Sequence, residues 1–347
     1  MPEPHSQPTP ELFLETATAY QRTACLKAAV DLDLFTAIAE GATEAEHLAR
    51  RCGASVRGIR VLCESLAALG FLVRNGAGFA LTADSAVFLD RRSPAYLGGA
   101  LEFLLSEAQT AGFRDVAAAV RKGGKALDGD GPAAEDEQVW VKFARGMAPL
   151  MVPAAQFIAG VTANGGRPMR VLDLAAGHGL FGIEIAKRNP RAEVVAVDSE
   201  PVLEVAAENA ARAGVADRHR CLPGDALTVE LGEGYDVALL TNFLHQFDPG
   251  TCTALLRKVH AALKPEGCAV TLEFIPNEDR ISPPIAATFS LVMLVNTEGG
   301  EAYTFSELKQ MFEAAGFPEN ELHDLDGAPQ RVVVSRKRPA GAGDTRH

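Results

Sequence analysis

Apolar residues recur at helical spacing through the first part of the chain, from Glu11 to Phe71. The periodic positions are Ala24, Ala28, Leu32, Leu62, Leu66 and Leu69. Because residues three and four apart share one helix face, this pattern predicts helices with one apolar side. Thr43, with Glu46 three residues later, has the capping-box pattern and predicts a helix start. Gly70 predicts the end of a helix that begins near Ser55.

A short hairpin is predicted directly after these helices. The apolar runs 71–73 and 79–82 flank Asn75-Gly76, a pair that suits a tight turn. Helices followed by a small hairpin are typical of a winged helix, which makes DNA binding one hypothesis. The candidate recognition helix, Ser55 to Leu69, is largely apolar, whereas a groove-reading helix presents polar side chains to base edges. A packing or dimerisation role is therefore favoured.

Two further helical stretches, Tyr96 to Arg121 and Val139 to Gly160, follow the hairpin. In the second, large apolar side chains lie on roughly one face: Trp140, Phe143, Met147 and Met151. Such a stripe suits a core and also a pocket, so both roles stay open. The glycine- and acid-rich stretch between the two helices, Lys122 to Gln138, lacks calcium-loop spacing and predicts a solvated loop.

From Met169 onward, short apolar strands alternate with helices, which predicts a parallel sheet. The first strand is predicted over Arg170–Leu174, and the helix after it over Leu180–Arg188. Later strands are predicted over 194–197, before Gly224, and over 235–240 and 269–273. The fold class is therefore α/β in this part of the chain, behind a mostly helical first part.

Composition narrows the range of partners. The formal net charge is 33 − 45 = −12, which disfavours nucleic acid because phosphates need a basic face. The chain has no run of about 18 apolar residues, which a membrane span needs. Its first ten residues lack a secretory pattern. The six cysteines are scattered without a C-x-x-C pair, so we expect reduced thiols in a cytoplasmic protein and no metal site.

The first strand of the sheet runs into a glycine-rich turn. Gly177 and Gly179 follow it and precede the helix, whose first N–H groups are free to bind a ligand. Gly177-x-Gly179-x-x-Gly182 also matches a dinucleotide fingerprint, which is a weak signal alone. The turn therefore predicts a nucleotide-type site at this edge of the sheet.

Three acids at successive strand ends point to a cationic ligand. Asp173 lies inside the first strand, where it suits an ammonium group and would repel a pyrophosphate. Asp198 ends the second strand and suits two ribose hydroxyls. Asp225, beside Ala226, follows the third strand and suits an adenine amino group. The spacings, 198 − 173 = 25 and 225 − 198 = 27 residues, each correspond to about one βα unit.

These segments resemble the signature of the class I S-adenosylmethionine-dependent methyltransferases. Val171–Gly179, Asp198, Asp225 and the strand Tyr235–Leu240 carry the resemblance. Ala175 stands where the family usually has glycine, and alanine can keep the turn if its φ stays negative. The resemblance implies a Rossmann-like fold, S-adenosylmethionine as cofactor and S-adenosylhomocysteine as product. The cofactor-binding residues are expected to be Asp173, Ala175, Gly177, Gly179, Asp198, Ser199, Asp225, Ala226 and Asn242.

The segment after the fourth strand, Thr241 to Asp248, is similar to the L-H-D-W segment of caffeic acid and acetylserotonin O-methyltransferases. There the histidine is the general base, and carried over it is His245. Gln246 and Phe247 replace the family's Asp and Trp. A positioned base suits the chemistry, because the protein must align a hydroxyl and remove its proton, typically worth about 10²–10⁴-fold.

Two acids are implied as partners of this histidine. Glu273 ends the next strand in a segment that resembles the family's E-x-x-x-P, whose glutamate orients the base. Gly299-Gly300-Glu301 resembles the family's G-G-x-E-R-T, which carries a second orienting glutamate. Glu301 comes one position early and the family's arginine is absent. A carboxylate behind an imidazole stabilises its protonated form.

The sequence patterns and the resemblance together predict the domain organisation. The expected parts are a disordered N-terminus at 1–10, a winged-helix-like dimerisation domain at 11–105, a linker with substrate-pocket helices at 106–165, an S-adenosylmethionine-binding catalytic domain at 166–338 and a disordered tail at 339–347. In this family the N-terminal domain interleaves two subunits, so a homodimer is expected. The expected substrate pocket comprises Phe143, Met147, Met151, Phe289 and Met293.

The sequence therefore predicts an O-methyltransferase of secondary metabolism. It would act without a metal on a hydroxyl of a small aromatic or polyketide-like compound. Three alternatives stay open: an N- or C-methyltransferase, a homologue that binds the cofactor but catalyses rearrangement, decarboxylation or hydroxylation, and a winged-helix regulator with S-adenosylmethionine as effector.

Overall fold

The computed structural model describes residues 8–126 and 137–337 of the chain. The tail predicted to be disordered at 339–347, residues 1–7 of the N-terminus predicted to be disordered at 1–10, and most of the loop predicted over 122–138 lie outside these residues. The described residues form two compact units, which divide between Leu101 and Glu102. Among residues 8–126 and 137–337, no helix combines the length and apolar character that crossing a membrane requires.

The first unit contains short helices and one hairpin. Its elements are α1 (Glu11–Ala17), α2 (Ala19–Asp31), α3 (Leu34–Ala39), α4 (Ala45–Arg51), α5 (Val56–Ala68), β1 (Leu72–Asn75), β2 (Gly78–Leu81) and α6 (Ala83–Phe88). The predicted start of α5 is confirmed, because the Ser55 hydroxyl accepts from the Gly58 amide at 3.1 Å. Gly70 follows α5 with φ +85°, and the predicted hairpin pairs Asn75 with Gly78.

The predicted helix cap at Thr43 is wrong. Helix α4 begins after Glu44 and has no side-chain cap. The Thr43 carbonyl instead accepts from the Phe79 amide at 2.9 Å. A side chain at Gly78 would place its Cβ 2.6 Å from that oxygen. Pairing with the hairpin therefore takes Thr43 out of the helix.

The predicted single helix from Tyr96 to Arg121 is also wrong. The structure divides it into α7 (Leu101–Leu104), α8 (Glu107–Thr110) and α9 (Val116–Lys122), with 3₁₀ turns at 98–100 and 111–115. Ser106 and Asp115 cap the starts of α8 and α9 with their side-chain oxygens. Such caps stabilise new helix starts and so favour several short helices over one long helix.

The second unit is an α/β domain, which confirms the predicted fold class. Its further elements are α10 (Glu137–Val161), β3 (Met169–Leu174), α11 (Leu180–Arg188), β4 (Ala192–Asp198), α12 (Glu200–Arg212), β5 (His219–Pro223), β6 (Tyr235–Thr241), α13 (Pro249–Ala262), β7 (Leu263–Glu273), α14 (Pro284–Asn296), α15 (Phe305–Ala314), β8 (Glu319–Asp324) and β9 (Arg331–Arg336). The described strands of this unit form one sheet in the order β5-β4-β3-β6-β7-β9-β8. β9 runs antiparallel to β7 and β8, and the other pairs are parallel.

Alternation along the central strands explains why the sheet is buried on both faces. In β3, Leu172 and Leu174 pack into one core cluster, whereas Met169 and Val171 pack into another. Successive side chains of a strand point to opposite faces, and crossover helices cover both faces of a parallel sheet. Because both faces are covered, the carboxyl ends of β3, β4, β5 and β6 are the place where turns can carry a site.

Candidate active site

The turn after β3 has a left-handed backbone at three positions. Ala175, Gly177 and Gly179 have φ of +50°, +55° and +71°. The expectation of a negative φ at Ala175 is therefore wrong, and the alanine holds a conformation that glycine adopts more easily. The Gly177 amide donates to Asp198 Oδ2 at 2.9 Å, which joins this turn to the end of β4.

Asp173 is fully buried and only partly satisfied. Its Oδ2 accepts from the Gly182 amide at 3.2 Å, while its Oδ1 has no hydrogen-bond partner among the described residues. Burial, with a smaller contribution from Asp198, raises the pKa of Asp173 to about 7. A buried carboxylate oxygen without a partner costs free energy unless a donor or cation meets it. Asp173 therefore fits a cationic group of the ligand that the resemblance implies.

The ends of β4 and β5 lie beside this turn. Asp198 Oδ1 accepts from the Ser199 amide at 2.8 Å, and burial raises the pKa of Asp198. The Gly224 amide donates to the Asp198 carbonyl at 3.0 Å. Asp225, next along the chain, is exposed and Ala226 is buried. The structure thus brings the Asp198 carboxylate to the glycine turn. The segment that contains Asp225 is joined to Asp198 by the backbone hydrogen bond of Gly224.

Helix α10 passes over the glycine turn and over the end of β6. A Cβ at Gly177 would lie 3.7 Å from the Phe143 ring, so that ring covers the turn. Met147 packs in the same cluster as Phe143, together with Phe103 and Val139. Met151 is buried in the core, and its sulfur lies 3.6 Å from Asn242 Nδ2. The apolar stripe thus serves both as core and as a cover of the sheet edge.

His245 lies in the turn that follows β6. Asn242 has φ +53°, its amide donates to the Leu272 carbonyl at 2.7 Å, and a 3₁₀ turn over 244–246 follows. The His245 side chain is 8% exposed, and its Nδ1 is hydrogen-bonded to Glu273 Oε2. In the tautomer that donates from Nδ1, the Nε2 lone pair is free to accept a proton.

Glu273 also holds the backbone of the histidine turn. Its side chain is buried, and its second oxygen, Oε1, accepts from the amides of Phe243 and Leu244 at 2.9 and 2.8 Å. One carboxylate therefore orients the imidazole with one oxygen and the preceding peptide groups with the other. Two backbone donors and an imidazole leave little freedom for the carboxylate to turn away.

Two stacked rings border the imidazole. Phe289 contacts His245 edge to face, with ring centroids 4.9 Å apart and planes at 85°. Phe274 stacks on Phe289 with centroids 4.1 Å apart. Met293, one turn further along α14, is buried. These rings form an apolar wall beside His245, the kind of surface that suits a flat apolar ligand.

Glu301 has a different partner. Its carboxylate pairs with Arg280 at 2.7 Å, whereas Glu273 is the acid on His245. Sequence reasoning missed Arg280, and also Tyr303, whose hydroxyl donates to the Phe247 carbonyl. The sequence signal for this part of the site was the Gly299-Gly300 pair, because adjacent glycines often mark a place where two backbone segments pack closely together. Within 8–126 and 137–337, no cluster of three or more His, Cys, Asp and Glu side chains could hold a metal ion.

Family models match most of the chain. Residues 14–91 match a model described as O-methyltransferase dimerisation domain, and residues 113–318 match one described as O-methyltransferase domain. The second match alone covers more than half of the chain. The matched residues include the glycine turn after β3, the turn that carries His245, and the rings of Phe274 and Phe289 beside the imidazole.

Whole-chain relatives agree with these matches. A protein of Streptomyces sahachiroi named 3-hydroxy-5-methyl-1-naphthoate 3-O-methyltransferase is 29% identical over 314 residues, 89% of this chain and 90% of its own length. Rat acetylserotonin O-methyltransferase is 27% identical over 339 residues, 94% of this chain and 77% of its own length.

Solved structures extend the similarity to the fold. A crystal structure from Nostoc punctiforme, named for an O-methyltransferase, is 50% identical, has a TM-score of 0.90, and matches over 96% of this chain and 100% of that chain. Human N-acetylserotonin methyltransferase in complex with S-adenosylmethionine has a TM-score of 0.83 at 24% identity, over 96% and 99% of the two chains. The chain therefore belongs to the O-methyltransferase family and carries that family's dimerisation domain ahead of its O-methyltransferase domain.

Proposed function

We propose that this protein transfers a methyl group from S-adenosylmethionine to a hydroxyl of a small aromatic or polyketide-like metabolite, with His245 as general base. The buried contact between His245 and Glu273 beside the aromatic wall carries the proposal. The relatives named for naphthoate and acetylserotonin substrates support the aromatic class.

The residues of the glycine turn fit the cofactor. S-adenosylmethionine supplies an activated methyl group on a sulfonium when it is bound. Asp173, with its unpartnered oxygen, would bind the ammonium of the methionine part, Asp198 the ribose hydroxyls, and Asp225 beside Ala226 the adenine. The remaining residues of this set contribute backbone groups or line the site: Ala175, Gly177, Gly179, Ser199 and Asn242.

His245 and Glu273 would handle the proton. His245 Nε2 would take the proton of the acceptor hydroxyl, and Glu273 would stabilise the resulting imidazolium through Nδ1. Phe289, Met293, Phe143, Met147 and Met151 would line the acceptor pocket and exclude water. Alignment of the hydroxyl oxygen is the other main contribution of the protein, since a fixed geometry removes several kcal/mol from a bimolecular barrier.

We also propose a homodimer formed through the N-terminal domain, whose helices and hairpin suit a winged-helix arrangement. The family model for residues 14–91 supports dimerisation. A cytoplasmic location and a place in secondary metabolism stay predictions from the sequence and from the names of the relatives.

The test is the substitution His245→Ala. Turnover should fall about 10²–10⁴-fold, because a positioned base contributes that much. The assay measures S-adenosylhomocysteine release with hydroxyaromatic acceptors, including 3-hydroxy-5-methyl-1-naphthoate and N-acetylserotonin. Calorimetry should show unchanged affinity for S-adenosylmethionine.

His47→Ala is the matched control, because this histidine is exposed in the first unit. It should keep full activity. Full activity in His245→Ala would remove the base assignment. Acceptor consumption by the native protein without S-adenosylhomocysteine release would favour a non-methylating reaction instead.

A further inference from the structure

We infer that Arg280 is a positioning residue of the active site, and that Glu301 serves Arg280 rather than His245. Two segments carry the inference: the rim loop, residues 277–283, and the support segment, residues 299–303. It rests on the proposed function in so far as His245 is the base. Nothing in the sequence patterns pointed to Arg280.

The support segment packs directly against the backbone of the histidine turn. A Cβ at Gly300 would lie 2.3 Å from the His245 carbonyl oxygen and 2.8 Å from the Gln246 carbonyl carbon. The Tyr303 hydroxyl donates to the Phe247 carbonyl. A displacement of 299–303 toward the histidine turn therefore moves the peptide groups of His245, Gln246 and Phe247.

Arg280 connects the rim loop to that segment. Its guanidinium donates to Glu301 at 2.7 Å and also pairs with Glu307. Glu307 in turn accepts from the Thr304 amide at 2.8 Å as part of the capping box that starts α15. We call Arg280, Glu301 and Glu307 the Arg280 network. This network joins the rim loop to the support segment through Glu301 and to the first turn of α15 through Glu307.

The rim loop is built so that Arg280 has a fixed direction. Arg280 has φ +59°, a conformation that a non-glycine residue adopts only when its surroundings hold it. Asp279 Oδ1 accepts from the amides of Ile281 and Ser282, both at 3.0 Å, and the Asn277 amide donates to the Ser282 carbonyl at 2.7 Å. The hydrogen bonds within the loop and the left-handed backbone of Arg280 therefore give a definite direction to a side chain that is 41% exposed.

The rim loop also joins the two groups that contact the imidazole. It follows the strand that ends in Glu273 and precedes α14, which carries Phe289. Residues 299–304 resemble the family's G-G-x-E-R-T motif, and the fully buried Ala302 stands at the position of its glutamate. The Arg280 network would therefore hold the spacing between the acid side and the aromatic side of His245, because it anchors the loop that connects them.

The alternative is that Glu301 acts on His245 as a second orienting acid. The two roles differ in what a neutral Arg280 does. If Glu301 works through Arg280, the double variant behaves like Arg280→Met alone, because Arg280→Met already removes the pair with Glu301 together with the pair with Glu307. If Glu301 works on His245, the two effects are independent and add.

The experiment compares Arg280→Met, Glu301→Gln, the double variant and Arg280→Lys in the ligand-free full-length protein. Amide hydrogen exchange in 277–283 and 299–303 should accelerate about 2–5-fold in each single variant, the range for an exposed ion pair, and no further in the double variant than in Arg280→Met. Arg280→Lys should restore part of the protection because it keeps the charge. Lys309→Met is the matched control, since it removes an exposed ion pair with Glu313 on α15 and should leave exchange in both segments unchanged.

A spectroscopic signature separates positioning from direct action on the base. The Nδ1 proton resonance of His245 reports its bond to Glu273. It should shift in both Glu301→Gln and Arg280→Met, because either substitution releases the segment that packs against the histidine turn. An unshifted resonance in Arg280→Met, or additive exchange effects, would overturn the inference. Failure of the proposed function is read separately, from turnover in His245→Ala, which leaves Arg280 unchanged.

Discussion

At the scale of single residues, the two oxygens of Glu273 have separate tasks. Oε2 bonds the imidazole and Oε1 accepts from two backbone amides, so the same side chain sets the ring and the turn that bears it. A glutamine offers only one acceptor oxygen, and its amide group would face Nδ1 as a donor. The position therefore requires a carboxylate for geometry as well as for charge.

Buried histidines beside the glycine turn predict a loss of stability in acid. His178 is buried, its Nδ1 accepts from the Leu180 amide at 3.1 Å, and burial lowers its pKa to about 4. The unfolded chain binds a proton near pH 6.5 that the folded chain does not bind until about pH 4. The contribution of His178 to the free energy of unfolding should therefore fall by about 3 kcal/mol between pH 6.5 and pH 4, while Asp173, whose pKa burial raises to about 7, contributes in the opposite direction.

Urea unfolding of His178→Asn across that range measures this contribution. Asparagine keeps an acceptor for the Leu180 amide but takes up no proton, so the pH slope should become smaller. The buried ring of His219, whose pKa is also lowered by burial, leaves part of the slope in place. His47→Asn should keep the native slope. An unchanged slope in His178→Asn would contradict the assignment.

At the scale of elements, the site is assembled by turns between neighbouring strands. Ala175 follows β3 and Asn242 follows β6, and both have a left-handed backbone that costs free energy for a non-glycine residue. β3 and β6 pair directly, so the two strained turns emerge side by side. Strain of this kind persists where the surroundings hold it, and here it directs the backbone of both turns.

The contact between the support segment and the histidine turn predicts the effect of Gly300→Ala. The added Cβ would overlap the His245 carbonyl and must move backbone, at a cost of about 1–3 kcal/mol. We expect at least a tenfold loss of turnover and a lower Tm. Gly299→Ala is the matched control, since its Cβ would lie 3.2 Å from the Asp248 Cβ, where a small shift suffices. Equal effects of the two substitutions would count against the contact.

At the scale of the whole molecule, α1 has no buried residue in the single chain. Leu12 and Phe13 are 77% and 72% exposed, and Tyr20, just after it, is 69% exposed. An apolar surface of this kind on a domain that matches a dimerisation model is suited to a second subunit.

Leu12→Ser combined with Phe13→Ser should therefore lower the fraction of dimer. Light scattering coupled to gel filtration, at several protein concentrations, measures the mass. Glu15→Ser in the same helix should leave the mass unchanged, because it removes no apolar surface. A dimer of undiminished stability in the double variant would assign the interface to other residues.

The sequence by itself determined the α/β class, most of the strands and the order of the motifs. The spacing of apolar residues and the residue preferences of turns are local signals. They therefore predicted the start of α5 at Ser55, the hairpin at Asn75-Gly76 and the helix α11 over Leu180–Arg188. Where a distant contact competes, local signals failed. Thr43 pairs with Phe79 rather than capping a helix. The stretch after Tyr96 is a different case, because its division comes from Ser106 and Asp115, two local caps that the helical pattern did not reveal.

Only the tertiary structure decided which charges meet. Glu273 and Glu301 follow His245 in the chain by 273 − 245 = 28 and 301 − 245 = 56 residues, and spacing alone cannot say which carboxylate reaches the imidazole. The pairing of β6 with β7 brings Glu273 to it, while the left-handed backbone of Arg280 brings a cation to Glu301. Contacts between residues far apart in the chain depend on how strands pair and loops close, and a local pattern carries no record of either.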